Sequence, residues 1–447
     1  MREMLIKIEP FSFVELSRVL IKKEVNQHAT ACICGIVEAE MTEDARHLLL
    51  SERTRVTIDV LDEEEKKERL FCGMVKEYQM EHRNFVDYLT LHLVDETYLM
   101  DVMPHTRVFQ EEEKTYEDVF QIITKDYNLG GVITGTKARA KVPELLVQYQ
   151  ETDWEFAKRL AARCRSCLVP DTFTVGSRYF VRLPERETVT LPERTEYTIK
   201  GGRYPVYIVK SREVYDVGEE LVLERMSLFV YKIKTEYRSG ELWHEYSLLN
   251  DPEQIGSGMF NPNMAGVSLS GSVKKVCEDK VQIEVTLDEY QTKIRRWFPY
   301  STVYSSPDGT GWYCMPEKGD QIRLHFPDQR EEQAYVISSV HLHTEHGRSN
   351  PDHKSLKNKY QKEVLFTPEK LVLTDNAGSF IEISDEEGIL IQSDKMIRIH
   401  AKEQVTIASE DDNVTISAAE MLKLKQNETM IKLDEDIIFS GGEFRIQ

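Results

Sequence analysis

Residues 389–407 read ILIQSDKMIRIHAKEQVTI, and the apolar-x-apolar unit inside them returns every eight residues, at Ile389-x-Ile391, Ile397-x-Ile399 and Val405-x-Ile407. Alternating apolar and polar residues in runs rich in Ile and Val mark strands with one buried face, and a fixed period over successive units marks a stack. The unit continues in both directions. Leu371-x-Leu373 and Ile381-x-Ile383 precede it; Val414-x-Ile416, Leu422-x-Leu424, Ile431-x-Leu433 and Phe444-x-Ile446 follow. Charged or small residues fill the gaps, as at 384–388, 409–413 and 434–436, so short strands alternate with turns. One octad buries too few large side chains to offset the entropy of ordering its backbone, and it leaves strand edges open. Both deficits vanish when several chains wind round one axis. The repeat is therefore expected to form an intertwined prism with Ile389, Ile391, Ile397, Ile399, Val405, Ile407, Val414, Ile416, Leu422 and Leu424 in its core. A single-chain solenoid with three octads per coil has the same period, but this segment would give it only about three coils with bare ends.

The whole chain has 447 residues, enough for several domains, and carries 57 Lys plus Arg against 77 Asp plus Glu, a formal charge of −20. That sign argues against nucleic acid or an anionic membrane surface as a partner. From residue 364 onward 8 basic residues face 17 acidic ones, as expected of a stack whose outward side chains are solvated. Residues 1–10 carry Glu3 and Glu9 and lack the pattern of a secretory signal, and no apolar run is long enough to span a bilayer. Seven scattered cysteines suit reduced thiols in a cytoplasmic protein. Cys164-x-x-Cys167 has the spacing of half a zinc site, with Cys32-x-Cys34 as another half. The preferred reading of Cys164 is a small apolar residue in phase with a helix face.

Residues 1–100 read as a small β-barrel or sandwich, taken as the first hub barrel, with strands at 14–22, 31–38, 55–60, 70–79 and 86–94. A helical and connecting segment follows over 101–172. In it Thr115 caps a helix bearing Tyr116, Val119, Phe120, Ile123 and Tyr127, with Gly130-Gly131 as the stop. The second helix starts at a capping box, Thr152 with Glu155, and buries Trp154, Ala157, Leu160, Ala161 and Cys164. Glu151, Asp153 and Glu155 are expected there from the helix dipole and are not read as catalytic. Residues 173–250 return to strands, at 179–183, 204–210 and 228–237 among others, as a second barrel.

The order of barrel, Arg107-Val108-Phe109-Gln110, a short helix, QYQETDWEFAKRLA at 148–161 and a second barrel resembles the hub of VgrG and phage late-control D proteins. The likeness spans about residues 5–250 and is tightest over 147–161. A Gly- and Pro-rich linker, 251–264, then leads to a small barrel of about five strands, 265–345. Its WYCMPEKGDQIRLHF, residues 312–326, resembles the baseplate V and VgrG OB-type domain, with Pro316 and Gly319 suited to a turn before a strand. Lys293, Arg295, Arg296 and Trp297 make only a faint version of a nucleic-acid groove. A polar connector, 346–363, joins this barrel to the repeat, 364–447.

The fold class expected is thus mainly β with short helices: a two-barrel hub, an OB-type barrel and an intertwined trimeric β-helical needle. The resemblance implies a homotrimeric spike of a contractile injection system, assembled in the cytoplasm and then injected or secreted. It also implies partners: an Hcp-like inner-tube hexamer, baseplate components, effector proteins and a PAAR-type tip protein. The target membrane is contacted mechanically. Phe444, Arg445, Ile446 and Gln447 are expected to seat the tip protein by strand addition, the chain being read as stopping there without a closing device. Phage spikes of this type can carry a His-x-His iron site at the needle tip. Here His341-x-His343 with His346 precedes the repeat, no histidine follows His400, and no metal or cofactor is assigned. Two other classes fit trimeric or helical β-structure: a receptor-binding tail fibre and a β-helical polysaccharide-degrading enzyme. No nucleophile elbow, HExxH or plausible acid pair supports the enzyme, and the expectation is a protein without catalysis.

Overall fold

The computed structural model describes residues 5–38, 42–50, 53–61, 67–111, 113–142, 145–202, 204–252, 255, 258–291, 293, 296–340 and 350–433. The chain divides into two units, residues 1–343 and 344–447.

In the first unit the alternating runs become strands: β1 (Leu5–Glu9), β2 (Phe13–Glu24), β3 (Thr30–Val37), β4 (Arg55–Leu61), β5 (Lys67–Arg83) and β6 (Val86–Val94). Ala31, Ile33 and Val37 of β3 point inward beside Val56, Ile58, Phe71, Leu89 and Leu91. The sequence reading missed a helix here, α1 (Thr42–Leu50). Its signal is modest: Ala45 and Leu49, four apart, are its buried residues, and both join the barrel core.

The next segment runs β7 (Pro104–Phe109), α2 (Tyr116–Thr124), β8 (Gly131–Thr134), β9 (Leu146–Thr152), α3 (Asp153–Arg163), β10 (Val169–Pro170) and β11 (Arg178–Val181). Both helices begin in reciprocal caps. Thr115 Oγ1 accepts from the Asp118 amide at 3.2 Å while the Asp118 carboxylate accepts from the Thr115 amide at 2.8 Å. Thr152 and Glu155 do the same at 3.1 and 3.0 Å. α2 ends at Thr124, before Gly130-Gly131, because Tyr127 leaves the helix and donates its hydroxyl to Asp153 Oδ2 at 2.7 Å.

The second barrel comprises β12 (Thr188–Thr190), β13 (Tyr197–Lys200), β14 (Val206–Ser211), β15 (Glu220–Leu223), β16 (Met226–Arg238) and β17 (Glu241–Leu249). β2 pairs with β16 in register from Lys232↔Glu24 to Arg238↔Arg18, so one sheet of 12 strands runs through both barrels.

Five strands follow: β18 (Ser268–Cys277), β19 (Lys280–Val285), β20 (Phe298–Pro299), β21 (Gln321–His325) and β22 (Tyr335–Ile337), in the sheet order β20-β19-β18-β21-β22. Gly319, at φ +100°, makes the turn before β21 that MPEKGD suggested. This barrel is not detached from the hub. Val108, Leu145 and Val147, on and beside the β7–β9 pair, share a core with Leu269, Val281, Phe298 and Leu324.

The second unit contains a meander, β23 (Lys354–Lys357), β24 (Glu363–Phe366), β25 (Lys370–Thr374), β26 (Phe380–Ser384) and β27 (Gly388–Gln392), and a hairpin, β28 (Leu422–Gln426) with β29 (Thr429–Leu433). The stretch read as a plain connector therefore contains β23 and the start of β24. Lys357 there pairs with Glu363 at 3.4 Å.

Candidate functional site: an apolar face without a core

The octads place their apolar residues in register. Leu371 lies opposite Ile383 and Leu373 opposite Ile381; Ile381 and Ile383 lie opposite Ile391 and Ile389. Since alternate residues of a strand share a face, these six side chains form one apolar surface. The reverse face carries Val372 and Leu390, and there Lys370 pairs with Glu382 at 2.7 Å. In β28 and β29, Leu422 opposes Leu433 and Leu424 opposes Ile431.

Among the described residues nothing buries this surface. Ile389 is 69% exposed and Ile391 55%. Between β27 and β28, residues 393–421 form no strand, and no backbone hydrogen bond joins them to another part of the chain among the described residues. Ile397, Ile399, Val405, Ile407, Val414 and Ile416 all lie exposed along that stretch, Ile399 at 73%. Beyond Val336 no described residue is buried. Phe444, Arg445, Ile446 and Gln447 lie outside the described residues, as do His341, His343 and His346.

The carboxylates around α3 are structural, for a reason beyond the helix dipole. Asp153 is buried and accepts hydrogen bonds from Arg107, from Gln148 Nε2 at 2.8 Å and from Tyr127. Burial, then Asp153, pushes the Tyr127 phenol upward. Glu151 takes Arg159 through both oxygens, at 2.9 and 2.6 Å. Arg159 also reaches Glu331 at 2.8 Å, and Arg163 meets the other Glu331 oxygen at 2.5 Å. Burial opposes the Arg159 charge, but Glu151 and Glu331 outweigh it and the guanidinium lies above its ordinary pKa. Glu331 comes from the loop before β22, so this pair of arginines clamps the OB-type barrel to the hub. No local pattern marks it, because the partners stand 172 positions apart.

Glu289 reinforces the same seam by accepting from the Thr106 amide at 2.9 Å and meeting His105 Nδ1 at 2.7 Å. Arg296 of the faint basic cluster lies over Phe298, 5.4 Å from its centroid, and donates to the Glu332 carbonyl. Among the described residues no group of three or more His, Cys, Asp or Glu already converges as a metal cage. Cys164 and Cys167 are buried in two different cores, and burial pushes the Cys164 thiol up to about 12.

Two barrels sharing one sheet, an OB-type barrel clamped to them and an apolar repeat make up the architecture that known families can be set against. Residues 40–164 match the phage tail baseplate hub (GPD) family, and residues 269–341 match the type VI secretion system/phage-baseplate injector OB domain. No curated protein matches the chain. Among solved structures, the E. coli c3393 protein is described as a component of the type VI secretion system with structural similarity to the T4 bacteriophage tail proteins gp27 and gp5. It is similar over 75% of this chain and 100% of its own, with 12% identity and a TM-score of 0.56. A chain of the lidded Francisella PdpA-VgrG complex is similar over 88% of this chain and 80% of its own, with 9% identity and a TM-score of 0.58. At such identities the likeness is one of fold. The two family matches liken residues 40–164 to a baseplate hub and residues 269–341 to an injector OB domain.

Proposed function

We propose that this chain is a VgrG-like homotrimeric spike that joins the inner tube of a contractile injection system to a puncturing needle and carries effectors. The observation that supports this most is the second unit, whose apolar residues recur for more than sixty residues with none of the described ones buried. A segment with no core of its own gains one when copies of it wind together, and the unpaired backbone at 393–421 then gains partners. Ile389, Ile391, Ile397, Ile399, Val405, Ile407, Val414, Ile416, Leu422 and Leu424 would line the axis.

The work is mechanical: a stiff, closed prism transmits the force of sheath contraction, and the hub provides two barrels per chain, six per trimer, to meet a hexameric Hcp-like ring. Baseplate components bind at the hub, effectors ride on the spike, and a PAAR-type protein sits at the far end near 444–447. Such a spike is assembled in the cytoplasm and then passes through the envelope. Mass measurement of the purified protein tests this directly. Three chains per particle, with no release of sugar from cell-wall or capsular polysaccharide, is the expected result. A stable monomer refutes the spike, and polysaccharide cleavage would favour the enzyme.

A further inference from the structure

On the outer face of the first barrel, three adjacent strands bring metal-ligating side chains into one row. Cys32 of β3 lies opposite His92 of β6, and His92 lies opposite Glu77 of β5. Directly opposed residues of a sheet point to the same side. Ala31 and Ile33 are buried in the barrel, so Cys32 and Cys34 between and beyond them face outward. The two thiols turn towards each other, with Sγ atoms 3.9 Å apart. Two sulfurs bound tetrahedrally to one zinc at about 2.3 Å stand about 3.8 Å apart. A disulfide needs about 2.05 Å, and its Cα atoms seldom lie further apart than about 6.8 Å, a limit that alternate residues of a strand nearly reach. The pair thus already has the bite of a metal chelate while remaining free thiols.

We propose that Cys32, Cys34 and His92 form a binding site for a soft divalent cation of the zinc class on the outside of the first barrel. The thiols supply two ligands as placed. His92 is exposed across the ladder from Cys32 and supplies the third by turning about its side-chain torsions, with Glu77 or water completing four. Binding releases two thiol protons to solvent, so two thiolates balance the charge of the dication and neutral imidazole adds none. Lys22 and Lys76 line the same hollow, and Arg18 stands opposite Cys34; their charges favour the thiolates.

The test uses the full-length protein, reduced and kept free of oxygen, titrated with Co²⁺ and then with Zn²⁺. One Co²⁺ per chain should bind with sulfur-to-metal charge-transfer absorption, and Zn²⁺ should displace it. C32S/C34S should abolish the band, H92A should weaken binding by at least about tenfold, and C277S/C314S, at the two exposed cysteines elsewhere, should change nothing. A second measurement does not depend on the variants folding: one equivalent of Zn²⁺ should protect Cys32 and Cys34 of the unaltered protein from alkylation, read by peptide mass. No band in the unaltered protein, a band that survives C32S/C34S, or unprotected Cys32 and Cys34 would overturn the proposal.

Discussion

Glu331 is 2% exposed and receives two guanidiniums, so its charge is needed where it lies. Removing one partner from a buried ion cluster leaves the other charge uncompensated and costs about 3–5 kcal/mol. E331A should therefore destabilise the first unit by roughly that amount, and limited proteolysis should cut first at the seam between hub and OB-type barrel. E155A, at an exposed capping position of the same neighbourhood, should cost only about 1 kcal/mol. Equal thermal shifts for the two variants would contradict the clamp. A second residue sets a pH limit. His244 is buried, its Nδ1 lies 2.8 Å from Thr235 Oγ1, and its Nε2 has no hydrogen-bond partner among the described residues. Burial, then nearby Lys23, depresses its pKa from 6.5 to about 4. The unfolded chain thus binds a proton that the folded one refuses: stability is intact above about pH 6.5, falls as pH drops towards 4, and is lower by about 3 kcal/mol below that. H244Q should flatten this slope in thermal melts taken from pH 7 to pH 4; an unchanged slope would assign the acid sensitivity to other groups.

Elements with a strong local signal were legible in the sequence. The helix cap at Thr115, the capping box at Thr152, the alternation in β3 and β6 and the turn at Gly319 each arise from neighbours within a few residues. What stayed hidden is non-local. The β7–β9 pair was not read as strands, because its short runs next to Pro104 and Glu151 lack clean alternation; pairing with each other and packing on the OB core hold them extended. α1 was hidden by its few apolar positions. The octads that fall in β25–β29 were readable as strands, but those at 397–399, 405–407 and 414–416 form none in the single chain, and the register was not readable, since pairing between one unit and the next depends on how each turn closes. In the repeat, facing can be tested by a contrast. Ile399 and Lys402 are both exposed in the single chain, so an isolated chain predicts equal tolerance at the two positions. If three chains wind together, I399D places three carboxylates near one axis, where like charges and lost hydration oppose ionisation. Light scattering should then show I399D failing to form the particle that K402E still forms. Equal outcomes would refute the facing assigned to Ile399.

At the scale of the whole molecule the two units differ in kind. All four buried clusters lie within residues 1–343, from Ile6 in the first barrel to Val336 in the OB-type barrel, and the clamp from Arg159 and Arg163 to Glu331 holds that unit together. The second unit has strands and registers but no buried residue among those described, and in the proposed assembly its core comes from further copies of the chain. Folding and assembly are then separable. A chain ending at His343 should unfold at nearly the temperature of the first transition of the full protein, because nothing in its cores is lost. It should also sediment as a monomer or as a weak, concentration-dependent oligomer, whereas the full chain keeps three copies on dilution. Ending the chain at Glu387, which retains the meander up to β26 but drops β27 and the unpaired octads, should fall between the two. A fragment ending at His343 that remains as firmly trimeric as the full chain would move the assembly determinant to the hub and leave the octads as a passenger.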